Sequence, residues 1–297
     1  MFKNLNTSAL GVSGHQSEII ELALTYGFQG IDLSIVEFAR RVTLHGMPYA
    51  RRLIDSAHIR TGTFELPLAW DTDDEVFKQG LEELRGCAEA ASEVGCTRCV
   101  AAITPAGDMR PYHENFEFHR RRFAEICAVL EPFGVRLGLG FRAAEDLRKG
   151  QAFQFIHEID ALSLLTNMVG APNIGIVLDV WDLHVSGTSV ESVGNLSAEQ
   201  IVAVQLADLP EDDVPLNVVT EASRLMPGST GQIDIPAFLV ALAELNYDGP
   251  VTPKPNRSTL RSTRRDMIVK EAGNALAQVW KTAGLTPEGK LVAPAES

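Results

Sequence analysis

Positive charge is scarce in this chain: 26 Lys and Arg stand against 39 Asp and Glu among 297 residues, a formal net charge of −13. A field of that sign repels phosphate backbones, so nucleic acid is not expected as a partner. Cysteine is scarce too, and four in a chain of this length do not make a disulfide framework. Cys96 and Cys99 spell CxxC, but no second CxxC or His pair accompanies them, so they read as buried thiols of a reducing compartment. No run of about 18 apolar residues is present, and the opening MFKNLNTSALG carries no apolar leader core. A membrane span and export are therefore not expected, and the localisation is read as cytoplasmic. Also missing is a glycine-rich phosphate fingerprint after the first strand, which argues against a doubly wound dinucleotide-binding sheet.

What the chain does have is alternation. Strand-like runs at 5–10, 28–35, 61–70, 97–103, 135–141, 174–179, 201–208 and 250–255 take turns with helix-like segments. Several of these helices stop at glycine, as Gly27 and Gly95 do. That count over this length predicts a (β/α)8 TIM barrel, an α/β fold, with residues 1–283 as a single domain and 284–297 as a polar tail.

The stretch from Ile174 to Gly187, IGIVLDVWDLHVSG, is the centre of the functional reading. Ile174, Ile176, Val177 and Leu178 form a continuous apolar run, the mark of a parallel strand covered on both faces. Asp179, Trp181, Asp182 and His184 then fall within six residues, at the end of a strand where such barrels keep their chemistry. Gathering the other strand ends gives a polar mouth. Lys254, Asp179, Asp182, Glu65 and Glu145 are its catalytic candidates, being charged groups able to move protons or polarise a carbonyl. Trp181, Gln205, Asp208, His184, Trp70, Arg257 and His15 are its substrate-binding candidates, since amides and carboxylates meet hydroxyls and indole faces meet C–H bonds. Structural readings stand beside these: Asp179 as a helix cap, Trp181 as core, and His184, His15 and Arg257 as surface groups.

LDVWDLHVSG, VQLADLP and PGSTGQIDIPAFLVALAELNYDGPV resemble the sixth, seventh and eighth strand regions of the xylose-isomerase-like barrels. That superfamily includes sugar isomerases, sugar 3-epimerases, inosose-processing enzymes and endonuclease-IV-type nucleases, and the resemblance runs over almost the whole chain. It implies one divalent metal held by Glu, Asp, His and Glu at strands five to eight. On this sequence those positions read Gly140, Asp179, with Asp182 where a His follows, then Gln205 and Lys254, so only Asp179 of the ligands is retained. No cofactor is therefore expected, a divalent ion such as Mn²⁺, Mg²⁺, Co²⁺ or Zn²⁺ entering only through a rearranged set such as Glu65, Asp179, Asp182 and Asp208. The ammonium of Lys254 is expected to take the metal's place beside Asp179, either as a catalytic cation or as a purely structural pair.

The resemblance implies an isomerase, epimerase or lyase-like enzyme acting on a small sugar, keto-sugar or polyol. The alternative is a sugar-binding or regulatory barrel without catalysis, because both proton-transferring glutamates of the family are replaced. The resemblance also implies a homodimer or homotetramer.

Overall fold

The apolar runs come together as one curled parallel sheet. The computed structural model describes residues 1–189, 193–194, 196–211 and 214–292. Its strands are β1 (Phe2–Leu5), β2 (Gly30–Ile31), β3 (Arg60–Thr61), β4 (Phe64–Glu65), β5 (Arg98–Ala102), β6 (Ala106–Gly107), β7 (Arg136–Gly140), β8 (Phe153–Gln154), β9 (Ile174–Asp179), β10 (Ile201–Leu206) and β11 (Pro250–Pro253). Nine of them pair in the order β3-β2-β1-β11-β10-β9-β7-β5-β4. β3 and β4 are the two halves of one stave, parted at Gly62 and Thr63, so the two ends of that order meet and the sheet closes. The chain is a TIM barrel, as expected.

The helices α1 (Gln16–Thr25), α2 (Ile35–His45), α3 (Met47–Ala57), α4 (Asp74–Ser92), α5 (Tyr112–Leu130), α6 (Ile159–Val169), α7 (Val180–Val185), α8 (Ile235–Glu244) and α9 (Arg265–Thr282) follow the strands. None of the described helices is long and apolar enough to cross a membrane. The main core lies between sheet and helices, with Phe64, Phe77, Phe123 and Phe238 among its largest buried side chains. A second, small cluster of Val100, Val177, Val202 and Ala203 plugs the inside of the barrel. That plug is the floor on which the polar residues of the mouth stand.

Local boundaries differ from the expectation where strands are short. The first strand is Phe2–Leu5 rather than 5–10, because Thr7 to Gly11 turns, with Gly11 donating to the Ser8 carbonyl at 3.0 Å. The run read as strand 28–35 pairs only at Gly30 and Ile31. Its end starts α2 instead, since Ile35, Phe38 and Val42 recur with helical spacing and turn to the core. A small antiparallel pair, β6 with β8, lies outside the barrel and was not anticipated. Past Thr282, part of the segment expected as a polar tail folds back over the amino end of β1. Leu285 is buried and bridges Leu291, and the Gln29 amide donates to the Pro287 carbonyl at 3.0 Å. Gly289, at φ +69, lies so close to the Met1 backbone that a side chain would collide with it.

Candidate functional site

Register places the key side chains level with one another. Gln205 on β10 pairs with Asp179 on β9 on one side and with Thr252 on β11 on the other, and Lys254 follows two residues later. Asp179 ends its strand and also caps α7, accepting from the backbone N–H of Trp181 at 3.1 Å and of Asp182 at 3.4 Å. The cap sets the start of the helix, so Asp182 sits one turn along it, beside Asp179.

Two cations meet these carboxylates. Arg224 donates through one terminal nitrogen to both oxygens of Asp179 at 2.9 Å and through the other to Asp182 at 2.6 Å. Lys254 donates to Asp179 at 3.1 Å and to the amide oxygen of Gln205 at 2.8 Å. Asp182 also accepts from the Ala143 N–H at 2.8 Å. Arg224, Asp179 and Asp182 are buried, and the Lys254 side chain is 34% exposed. The guanidinium of Arg224 lies over the Trp181 ring, 4.2 Å from its centroid, which makes the buried indole a platform for the cation.

Burial raises the proton affinity of Asp179, but the charges of Arg224 and Lys254 outweigh it and hold the carboxyl below its ordinary pKa. Asp182 moves the other way, pushed up to about 6 by burial and then by the neighbouring Asp179 charge. Arg224 is held firmly protonated by its two carboxylates, against the opposing effect of burial.

Arg224 is the site residue that sequence reading missed. It comes from the long β10–α8 loop, which is zipped onto the barrel. Asp208 and Leu225 exchange backbone hydrogen bonds at 3.0 and 2.9 Å, while the Arg224 carbonyl accepts from Asn256 N–H at 2.9 Å and the Thr259 hydroxyl at 2.8 Å. No local pattern in Glu221–Pro227 announces that a side chain there will reach the end of β9. The only available signal was a lone Arg just ahead of the PGSTG turn.

A cavity of about 400 Å³ opens above this cluster, lined among others by Lys254, Asp179, Gln205, Glu65, Trp70 and Gly140. It lies within the roughly 300–1,000 Å³ range of small-molecule sites. Six of the sequence candidates therefore belong together: Lys254, Asp179, Gln205, Glu65 and Trp70 at the cavity, and Asp182 just behind. Trp181 is nearby but wholly buried beneath Arg224, so it supports the cation rather than offering a face to a ligand.

Other candidates stand apart. Glu145 is exposed on a short 3-10 turn and does not line the cavity. His15 starts α1 in a separate groove, Arg257 is exposed with its side chain against Gly11, and His184 sits on α7 near Asp208, its proton affinity lowered by burial. Asp208, expected at the substrate, faces backbone instead. Its fully buried carboxylate accepts from the N–H groups of Leu209, Thr230, Gly231 and Ile233 at 2.9, 3.0, 2.9 and 3.2 Å. Asp208→Ala leaves those donors unsatisfied, so a loss of roughly 2–4 kcal/mol is expected in urea unfolding. A change within 0.5 kcal/mol, a size typical of plain surface sites, would contradict this assignment.

A sequence model of the xylose isomerase-like TIM barrel matches residues 20–278. An inosose isomerase of Bacillus velezensis is 22% identical over 256 residues, 85% of this chain and 88% of that protein. A xylose isomerase domain protein from Alicyclobacillus acidocaldarius superimposes with TM-score 0.85 at 21% identity, covering 95% of this chain and 99% of that one. The IOLI protein, solved with a bound zinc atom, superimposes with TM-score 0.78 at 19% identity, covering 95% and 99%. That zinc corrects the expectation that no cofactor is involved: a barrel of this fold does hold a divalent metal.

The side chains of this chain do not fit such an ion as they stand. Both Asp179 oxygens are engaged by Arg224 and Lys254, and a lysine ammonium has no lone pair to offer. Gly140 offers no ligand atom, although a Cβ there would meet only ordinary contacts, at 3.6 Å from Val177, so no steric demand keeps glycine at that position. Nor does the fold assemble the rearranged set of Glu65, Asp179, Asp182 and Asp208. Among the described residues no group of three or more His, Cys, Asp or Glu is placed to hold a metal.

Proposed function

The chain belongs to the xylose isomerase-like TIM barrel family, and from that footing we propose that it interconverts isomers of a small keto-sugar, inosose or related polyol in the Lys254 cavity. The observation that carries the reading is the convergence of a fixed ammonium and a carboxylate on one cavity. Lys254 is held by Asp179 and Gln205, and Glu65 lines the same space. The relatives named as inosose isomerases support the substrate class.

The chemistry is proton transfer next to a carbonyl. The substrate's carbonyl oxygen accepts from the Lys254 ammonium, while Glu65 removes the proton from the adjacent carbon. The electron pair of that C–H bond moves to the oxygen, whose negative charge Lys254 stabilises. Reprotonation of that carbon on its other face gives the epimer. For the isomer, the enolate oxygen first takes a proton from Lys254 to form the enediol. The adjacent hydroxyl then returns its proton to the lysine, and the carbon-bound proton goes from Glu65 to the former carbonyl carbon. Arg224 is a positioning residue: it fixes Asp179 and Asp182, and Asp179 in turn fixes Lys254. Trp70 offers the cavity an apolar surface for the C–H face of a ring.

The test is incubation with a panel of ketoses and inososes, followed by NMR. Appearance of a second isomer is expected. Binding without conversion of any member would contradict the catalytic reading and leave a binding barrel.

A further inference from the structure

The Lys254 cavity is not alone. A second cavity of about 340 Å³ adjoins it and shares Asn6, Ser8, Glu65 and Leu66 with it. Each by itself is near the lower end of the roughly 300–1,000 Å³ range of ligand sites, and the shared lining residues put the two side by side.

The chemistry of the second cavity is distinct. It carries the hydroxyls of Thr7, Ser8 and Ser34 with three acidic side chains, Asp32, Glu37 and Glu65, and among the described residues no Lys or Arg lines it. Asp32 is fixed there: one oxygen accepts from the Asn4 amide and the Thr63 N–H, both at 2.7 Å, and the other from the Asn6 amide at 2.8 Å. The Thr63 side chain bonds the same carboxylate, so its roughly four acceptor positions are taken and Asp32 serves as a fixed, charged wall of the cavity. Asn6 spends its amide oxygen on the Ala9 N–H at 2.8 Å and one amide hydrogen on Asp32. Its second amide hydrogen is left to donate, at the boundary between the two cavities. In the first cavity Lys254 is matched by Asp179, and Arg142, at the same rim, lies 3.7 Å from Glu221. Among the described residues the second cavity therefore offers no cation to a phosphate, and in the first the Lys254 ammonium is already paired with Asp179.

We infer that the substrate is an uncharged glycoside-like molecule, its carbonyl-bearing ring in the Lys254 cavity and a second hydroxylated unit in the Asp32 cavity, and that phosphorylated sugars are rejected. The inference rests on the reading of the Lys254 cavity as a keto-sugar site. It deepens that reading by naming what is attached to the sugar. A phosphate placed in the second cavity meets two or three carboxylates and no donor cation among the described residues, whereas sugar hydroxyls meet acceptors at Glu37 and Glu65 and a donor at Asn6.

Calorimetric titration at low salt with three probes tests it: D-fructose, D-fructose 6-phosphate, and isomaltulose, which carries a glucosyl unit on the carbon where the second probe carries phosphate. Isomaltulose is expected to bind at least tenfold more tightly than fructose, and fructose 6-phosphate at least tenfold more weakly. Ser34→Phe fills the second cavity from an exposed position whose side chain makes no capping bond. It should erase the isomaltulose advantage and leave fructose unchanged. Glu37→Gln should lessen the discrimination against the phosphate. Fructose binding with no gain for isomaltulose, or with a gain for the phosphate, overturns the inference while the keto-sugar site stands. Failure of all three to bind overturns both.

Discussion

Replacing Arg224 by methionine is expected to lower stability by about 3–5 kcal/mol, the usual consequence of stripping one partner from a buried charge cluster. The side chain is 4% exposed, and its loss abandons Asp179 and Asp182, themselves 6% and 2% exposed, with only Lys254 left as a counter-charge. Two adjacent buried carboxylates then repel each other in a medium that screens poorly. Methionine fills most of the volume over Trp181, so the loss reports charge rather than a cavity. Arg224→Lys keeps the charge but loses the planar fork that reaches both carboxylates, so an intermediate loss is expected. Asp182→Asn added to Arg224→Met should recover part of the deficit by removing the repulsion. Urea unfolding curves with unchanged slope are the measurement. A loss below about 1 kcal/mol for Arg224→Met, the scale of an exposed pair, would show that the cluster does not organise the barrel mouth.

Lys254→Met should do the opposite, sparing the fold and removing the chemistry. The Lys254 side chain is 34% exposed, and Asp179 keeps both Arg224 contacts without it. Solvent screening then limits the stability change to about 1 kcal/mol or less. In the proposed reaction the rate depends on Lys254 differently, because there the ammonium is the cation that faces the oxygen on which charge develops. Removing such a donor typically slows the chemical step by about 10²–10³. Steady-state kinetics on the interconverting substrate, with unfolding curves alongside, separates the two roles. A large stability loss with a proportionate fall in activity would make Lys254 a structural pair.

How far these features could be read in advance depends on where each side chain originates. The barrel was legible because parallel strands covered on both faces appear as unbroken apolar runs, of which Ile174–Leu178 is the clearest. The two-residue strands were not, since a pair such as Gly30–Ile31 carries too little pattern to mark its own ends. Asp179, Gln205 and Lys254 were legible as a set because a closed sheet must bring the ends of adjacent strands together. Arg224 was invisible for the complementary reason: it reaches the site from a loop, and loop geometry follows from hydrogen bonds made to Asp208 past β10 and to Asn256 and Thr259 past β11. Asp208 shows a third limit. Position at a strand end was read correctly, but the direction of its carboxylate depends on four backbone donors that no spacing rule reveals. Trp181 is similar, a flat apolar side chain whose partner turned out to be a buried guanidinium.

The most direct test of the account is uptake of solvent deuterium. A ketose or inosose that binds is incubated in D₂O with wild type and with Lys254→Met, zinc being supplied equally to both, and followed by proton NMR. The account predicts label at a carbon adjacent to the carbonyl, entering at a rate proportional to wild-type enzyme and about 10²–10³ slower in the variant. Equal rates in the two proteins, or a bound sugar that never takes up label, would contradict it.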